Sequence, residues 1–449
     1  MDILPPAYQI PEPTGIAPPY STSPRDSDII LPSDPHTFLD SPRCTNFNWR
    51  FKTSHMLIDF GPRIWGLRHP AYGLDGTIRF SVELNGVEGK DEELTATLEG
   101  YMESTTSRRM VFLSQDIAMT LSSPARSQSV KEFSIEIPST ITMQDVTTPM
   151  PPTFMLYDFA GTACDIKYQV KIVLTGLHGI RVKHDETKIV PIVYLPKSQP
   201  PSPPLLQLRR PLQGRDGVIV CPEFQNSERT KTFALCPKFT SPSSPSENDF
   251  RDSVFLTLPS PLSFSTGQKI PYLFSLVFPS HPHLNTLYTH ARIDVAVMKQ
   301  LTVSHHKRRL PRMVFKTRGT VDSPVADHPY RTEWLVAFNS PKYHSEYNEG
   351  VSVLRGCIET GEAGTQCSWR LGNYASIRYV LRVTVHPPEH FAGALPSFTH
   401  EVPLELSTDQ WGTLQRELSS MGGVPTPALG LTKNQCPDTA SNDARLWIY

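Results

Sequence analysis

The sequence predicts an all-β protein made of two tandem antiparallel β-sandwiches between disordered N- and C-terminal tails. Residues 165–174 place apolar side chains at every second position (Ile166, Tyr168, Val170, Ile172, Leu174), with Lys167, Gln169 and Lys171 between them. A period of two is that of a half-buried strand. The pattern returns at 376–385, where Ile377, Tyr379, Leu381, Val383 and Val385 alternate with Arg378 and Arg382. Each copy is followed by an echo, Val190-Pro191-Ile192 or Val402-Pro403-Leu404, at an Ile-to-Pro separation of 191 − 166 = 25 and 403 − 377 = 26 residues. Such a repeat reads as two units on one plan. Proline supplies the third observation. At 44 of 449 residues it is about twice as common as usual, and helix interiors tolerate it badly.

In chain order, residues 1–50 are rich in Pro, Ser, Thr and Asp and cannot bury enough apolar surface to offset their ordering entropy, so they read as disordered. The first sandwich is expected over 51–196, with strands at 56–60, 76–84, 94–100, 133–138, 165–174 and 187–195. A proline-rich spacer, 196–204, opens a linker that leads by 232 into the second sandwich. That unit is expected over 233–406 with a Ser/Pro-rich loop insertion near 240–250. Its strands are expected at 252–258, 270–278, 291–303, 312–317, 332–338, 351–358, 377–385 and 401–406. In the tail, 407–449, Trp411, Leu414 and Leu418 follow Thr408 and Asp409 at helical spacing, which predicts one short amphipathic helix.

The totals exclude several classes. A formal net charge of −1 leaves no basic field to hold a polyanion, so no nucleic-acid partner is expected. The seven cysteines are irregularly spaced without a C-x-x-C pair, which fits neither a disulfide framework nor a zinc site. Reduced thiols in a cytosolic protein are the expectation. Met1 to Pro6 lacks the basic and apolar regions of a secretory signal, and no apolar run reaches the roughly 18 residues of a membrane span. No nucleophile elbow, P-loop, dinucleotide fingerprint or H-E-x-x-H occurs. No catalytic residue, metal or cofactor is therefore expected.

Leu4-Pro5-Pro6-Ala7-Tyr8 is the sharpest short signal. Consecutive prolines preset a polyproline II helix that docks at little entropic cost, and a tyrosine at Tyr8 fills the aromatic groove of a WW domain. Proline-rich chains also produce this pattern by chance. Pro18-Pro19-Tyr20 keeps only the second proline in register and reads as an auxiliary site. The one dense basic cluster, His305-His306-Lys307-Arg308-Arg309-Leu310-Pro311-Arg312, is expected at a hairpin tip. It is either a solvated turn or a dock for phosphorylated tails or anionic headgroups, where each basic residue contributes about 1 kcal/mol. Lys167 and Lys171 share a polar strand face and could likewise receive phosphate, although such lysines often only keep a face soluble. Ser-Pro and Thr-Pro pairs at Ser23, Ser41, Ser202, Ser241 and Thr426 are candidate phosphorylation sites.

Taken together the chain resembles the arrestin family, specifically the fungal α-arrestins or arrestin-related trafficking adaptors. The resemblance is carried by Gly76-Thr77-Ile78-Arg79-Phe80 with Leu98-Glu99-Gly100, and by Met150-Pro151-Pro152-Thr153-Phe154 before Ile166-Lys167-Tyr168-Gln169-Val170. In the second unit it is carried by Val254-Phe255-Leu256-Thr257-Leu258, Gly267-Gln268-Lys269-Ile270-Pro271, Ile377-Arg378-Tyr379-Val380-Leu381 and Val402-Pro403-Leu404. It spans about 51–406. The resemblance implies two immunoglobulin-like sandwiches and an adaptor without chemistry of its own. Such an adaptor grips the tails of membrane transporters or receptors and recruits a HECT-type ubiquitin ligase whose WW domains bind P-P-x-Y, so that cargo is ubiquitinated and internalised. Only Pro5, Pro6 and Tyr8 match that motif, at the N-terminus, where many members carry it in the C-terminal tail. Localisation would be cytoplasmic, peripheral at plasma membrane or endosomes through partners. No buried charge latch of the visual-arrestin kind is expected. The alternative is a structural sorting or coat subunit of the same fold that uses no ligase.

Overall fold

Alternation in the sequence becomes pairing in space. The computed structural model describes residues 48–85, 92–104, 107–121, 129–156, 164–178, 183–205, 208, 212–213, 219–220, 229–239, 250–278, 282–289, 291–305, 308–318, 320–321, 351–420 and 426–434. Those residues are mostly β-strand in antiparallel sheets, so the predicted all-β class holds. The Cys164–His178 strand lies between Glu92–Ser104 and Lys183–Tyr194. Its inward set, Ile166, Tyr168, Val170, Ile172 and Leu174, is at most 2% exposed.

Four sheets hold most of the strands, and they come in two matching pairs. Asn48–Lys52, Met56–Pro62, Thr77–Leu84 and Ser129–Glu136 form one sheet in that order; Thr230–Ala234, Val254–Pro259, Lys269–Val277 and Val351–Glu359 follow one another likewise in a second, which Thr320–Val321 extends by a fifth strand. The larger sheets also correspond. Lys183–Tyr194, Cys164–His178, Glu92–Ser104 and Ser107–Leu121 run side by side, as do Ser397–Ser407, Ala375–His386, Arg292–His305 and Arg308–Arg318. Each carries one short parallel strand, Ala71–Tyr72 on Lys183–Tyr194 and Ser263–Ser265 on Ser397–Ser407. Among the described strands these are the only parallel pairings.

The correspondence extends to single residues. Tyr168 faces Ile192, and Gln169 faces Pro191; Tyr379 faces Leu404, and Val380 faces Pro403. Phe154 pairs with Ile166 as Trp369 pairs with Ile377. Among the described strands, both prolines fall where their strand has one neighbour, the setting in which a missing N–H does least damage to a ladder. The repeat read from two strands is thus a repeat of register.

Each half fills its core with rings. Phe60, Phe80 and Phe133 stack across three adjacent strands with centroids 4.7 and 5.1 Å apart. In the second half Phe278, Tyr288 and Phe398 meet at 5.2 to 6.2 Å. Tyr288 belongs to a helix that the sequence reading lacked, Pro282–Thr289. Proline suits its first turn, and Leu284 and Tyr288, four apart, are buried on one face. The Tyr288 hydroxyl donates to Pro396 O at 2.7 Å.

Several predicted boundaries change. Ser107–Leu121 is a 15-residue strand at a sheet edge where none was expected, because Met110-Val111-Phe112-Leu113 breaks strict alternation. The return strand of the basic hairpin begins at Arg308 rather than 312 and accommodates Pro311 on a sheet edge. The predicted strand at 332–338 and residues 240–249 of the expected insertion lie outside the described residues, and Phe250 is buried. A disordered C-terminal tail is incorrect for the described part of 407–449. The expected short helix forms at Thr413–Ser420, and Leu429–Asn434 makes a 3₁₀ turn. Ala428 and Leu431 are buried, and Gly430 touches Gly364 backbone, so this stretch has packing partners that its polar composition conceals.

Candidate functional site

Pro5, Pro6, Tyr8, Pro18, Pro19 and Tyr20 lie outside the described residues, as do His306 and Lys307. His305 is opposite Arg308 and Leu301 is opposite Arg312, so the backbone forms the hairpin that the basic cluster predicted. Lys167 and Lys171 share a strand face in different surroundings. Lys167 Nζ is 2.8 Å from Glu103 Oε2 and 3.1 Å from Asp165 Oδ2. Burial lowers its affinity for a proton, but those two carboxylates outweigh that and raise it. Lys171 is opposite Thr97 and Ile189. Beside Lys167, Glu99 accepts from Gln169 Nε2 and from Arg109, both at 2.7 Å, and the Arg109 guanidinium lies 3.8 Å from the Tyr101 ring centre. Three carboxylates and two cations on that face bind one another, which leaves Lys167 little free field for an added phosphate.

The structure brings other residues together where the two halves meet. The repeat-equivalent rings Phe154 and Trp369 touch edge to face, with centroids 5.2 Å apart. Each follows a hydroxyl residue that closes the same pair of bonds. Thr153 N donates to Tyr194 O and Thr153 Oγ1 accepts from Tyr194 N, both at 2.8 Å. Ser368 N donates to Leu406 O at 2.8 Å, and Ser368 Oγ accepts from Leu406 N at 2.9 Å. Beside these rings lies a space of about 20 Å³ lined by Lys299, Gln366, Cys367, Tyr379 and Leu431, among others.

Lys299 is 9% exposed. Its ammonium stands 5.5 Å from the Phe154 ring centre, within cation–π range, and no described carboxylate pairs with it. Burial lowers its pKa, and the nearby Cys367, which acts the other way, does not offset that. The Cys367 thiol is itself pushed up to about 12 by burial. Among the described residues, the buried Gln366 Oε1 has no hydrogen-bond partner. The pocket therefore holds one desolvated cation and one unsatisfied acceptor, with room for roughly one water-sized group.

A strap made of the C-terminal segment closes over this junction. Ser198, in the proline-rich spacer, receives Asp409 N on its carbonyl at 2.9 Å and Thr408 N on its hydroxyl at 3.1 Å. Gly412 N donates to Gln199 Oε1 at 3.2 Å, and Ala428 N donates to Leu195 O at 2.9 Å. Lys197, with 15% of its side chain exposed, pairs with Glu417 and lies 4.0 Å from Asp409. Glu417 in turn accepts from Thr426 N at 2.8 Å and from the Thr426 hydroxyl. A Cβ on Gly430 would stand 2.6 Å from Gly364 O, so only glycine permits that approach.

No family model matches this chain, and no curated protein matches it.

Among the described residues no group of three His, Cys, Asp or Glu side chains is placed to hold a metal ion, and no helix is long and apolar enough to cross a membrane. Ser368 and Lys299 escaped the sequence reading, and Thr153 entered it only within the motif quoted for the resemblance, without its bonding role. A hydroxyl followed at once by an aromatic, 166 − 153 = 13 and 377 − 368 = 9 residues before the repeated Ile, was a usable signal for Thr153 and Ser368. Lys299 carried none, since one lysine in an alternating strand reads as outward-facing.

Proposed function

We propose that each half is an immunoglobulin-like β-sandwich, that the two in tandem form an arrestin-type fold, and that the chain is an arrestin-like adaptor. It would bind tails of membrane transporters or receptors and bring a WW-domain HECT ubiquitin ligase to them through Pro5, Pro6 and Tyr8. The supporting observation is the shared order of the main strands in the two halves, including one parallel strand in each among the described residues; Cys236–Lys238 and Thr320–Val321 are additions of the second half. Broad sheet faces joined by a pinned spacer suit the display of binding surfaces, and P-P-x-Y supplies a recruiting element of known physical logic. The basic hairpin, if it meets anionic headgroups, would hold the adaptor peripherally at a membrane.

Capture from detergent-solubilised native membranes tests this reading. The full chain is expected to retain both a ligase and a transporter or receptor, and Tyr8→Ala is expected to lose the ligase while keeping the cargo. If Tyr8→Ala leaves ligase capture and binding to an isolated WW domain unchanged, the recruiting role fails. Retained cargo with no ligase in either sample would support the sorting-subunit alternative.

A further inference from the structure

We propose that Thr426 is a phosphorylation site for a proline-directed serine/threonine kinase and that phosphate at this position is incompatible with the docked strap. This inference is independent of the adaptor reading. Thr426 precedes Pro427, the pairing that such kinases read. In the strap its N–H and its hydroxyl both serve Glu417 Oε1. The other Glu417 oxygen holds Lys197, and Asp409 lies 4.0 Å from the same ammonium. One cation thus already serves two carboxylates.

Phosphorylation would remove the Thr426 O–H donor and set about −1.5 to −2 charges against Glu417, a like-charge contact that disrupts rather than docks. Lys197, already shared between Glu417 and Asp409, would then face a third anionic group. The bond from the Thr426 hydroxyl that ties Thr413–Ser420 to the 426–434 segment is lost, and like-charge repulsion takes its place. That segment carries Leu431, which lines the junction pocket beside Lys299, and Gly430, which seats on Gly364. In the transfer, Thr426 Oγ1 bonds to the γ-phosphorus of ATP as the bridge to the β-phosphate breaks. ADP departs and the hydroxyl proton passes to the kinase's base. A kinase needs Thr426 in an extended, undocked segment, so docking and modification oppose one another through one equilibrium.

The test uses the full chain, a purified kinase of the cyclin-dependent class with magnesium and ATP, and peptide-level mass spectrometry. Thr426 is expected to be modified, and roughly fivefold or more faster when Lys197→Ala weakens the strap. Modification at Ser23, in the N-terminal segment, should proceed at the same rate in both. Glu417→Gln provides a second weakened strap should Lys197→Ala fail to fold. Amide exchange over 408–420 is expected to quicken about tenfold or more once Thr426 carries phosphate. Kinase-treated Thr426→Val should exchange as its own untreated sample does. The proposal is overturned if Thr426 stays unmodified in wild type and both variants. It is equally overturned if Thr426 is modified with exchange unchanged, or if Thr426→Val loosens on treatment as wild type does.

Discussion

Gly100 and Lys299 occupy the same place in the two halves. Each sits opposite the repeated tyrosine, Gly100 facing Tyr168 and Lys299 facing Tyr379. In the first half the missing side chain makes room for rings, since a Cβ on Gly100 would lie 2.6 Å from Phe112 and 2.9 Å from Tyr168. The Tyr168 hydroxyl is fixed there by Pro151 O at 2.6 Å. In the second half the same position carries a cation, turned toward the junction with Phe154. Identical pairing therefore serves different ends. One copy closes a core, and the other places a charged group where the two halves meet. Register is set by backbone and by the alternating inward set, so it survives changes at a single facing position.

The tyrosines give the harshest test of that equivalence. Tyr168→Ala and Tyr379→Ala each remove a ring at most 2% exposed, and each should cost about 3–5 kcal/mol in urea unfolding. The first should cost more, because it also leaves the Pro151 carbonyl without its donor. Equal losses would show that the hydroxyl bond adds nothing. Next in size is Gly100→Ala. The clash is with ring atoms that have little freedom to move, and overpacking of this kind costs about 1–3 kcal/mol. A neutral result would mean that the Phe112 ring swings outward, and the comparison with Lys299 would lose its steric half.

Smaller still, and matched between halves, are Thr153→Ala and Ser368→Ala. Each strips one acceptor from a backbone N–H, that of Tyr194 or Leu406, and should cost about 1 kcal/mol. Costs within a few tenths of each other would sharpen the claim that the halves share one plan. A large imbalance would assign one hydroxyl a role that the other lacks.

How much of this could be read beforehand follows from where the physics is local. The strands around Tyr168 and Tyr379 were legible because a half-buried strand writes its burial into every second residue. The Val-Pro echo was legible for the same reason, and it pointed to two units on one plan; the shared register appears only in the pairing. The Ser107–Leu121 edge strand was not, since an edge tolerates apolar and polar residues on both faces. The strap was half legible. Thr408, Asp409 and the helical spacing of Leu414 and Leu418 announced a helix, but its docking depends on Ser198, Lys197 and Gly364, all at long sequence separation. The junction pocket was illegible, because burial of Lys299 is decided by a neighbour 299 − 154 = 145 residues away.

Lys299→Met isolates what the cation does. Methionine keeps the volume and drops the charge, so desolvation relief and loss of the contact with Phe154 oppose one another. The net gain near neutral pH should stay below about 1 kcal/mol. Its pH dependence is the sharper readout. Burial lowers the Lys299 pKa in the folded protein, whereas the unfolded chain has the ordinary lysine value of 10.5. Below the folded value both states hold the proton, and the folded state carries a charge it solvates poorly. Between the two values the unfolded state binds more protons, so wild-type stability rises with pH in that window. Above 10.5 the penalty is gone. Buried Tyr168 and Tyr379, whose hydroxyls burial pushes up, act in the opposite sense above pH 10 but cancel between wild type and variant. The advantage of Lys299→Met measured by urea unfolding from pH 7 to 10.5 should therefore shrink as pH rises. A constant advantage would mean that Lys299 titrates alike in both states, and the contrast with Gly100 would then be one of shape alone.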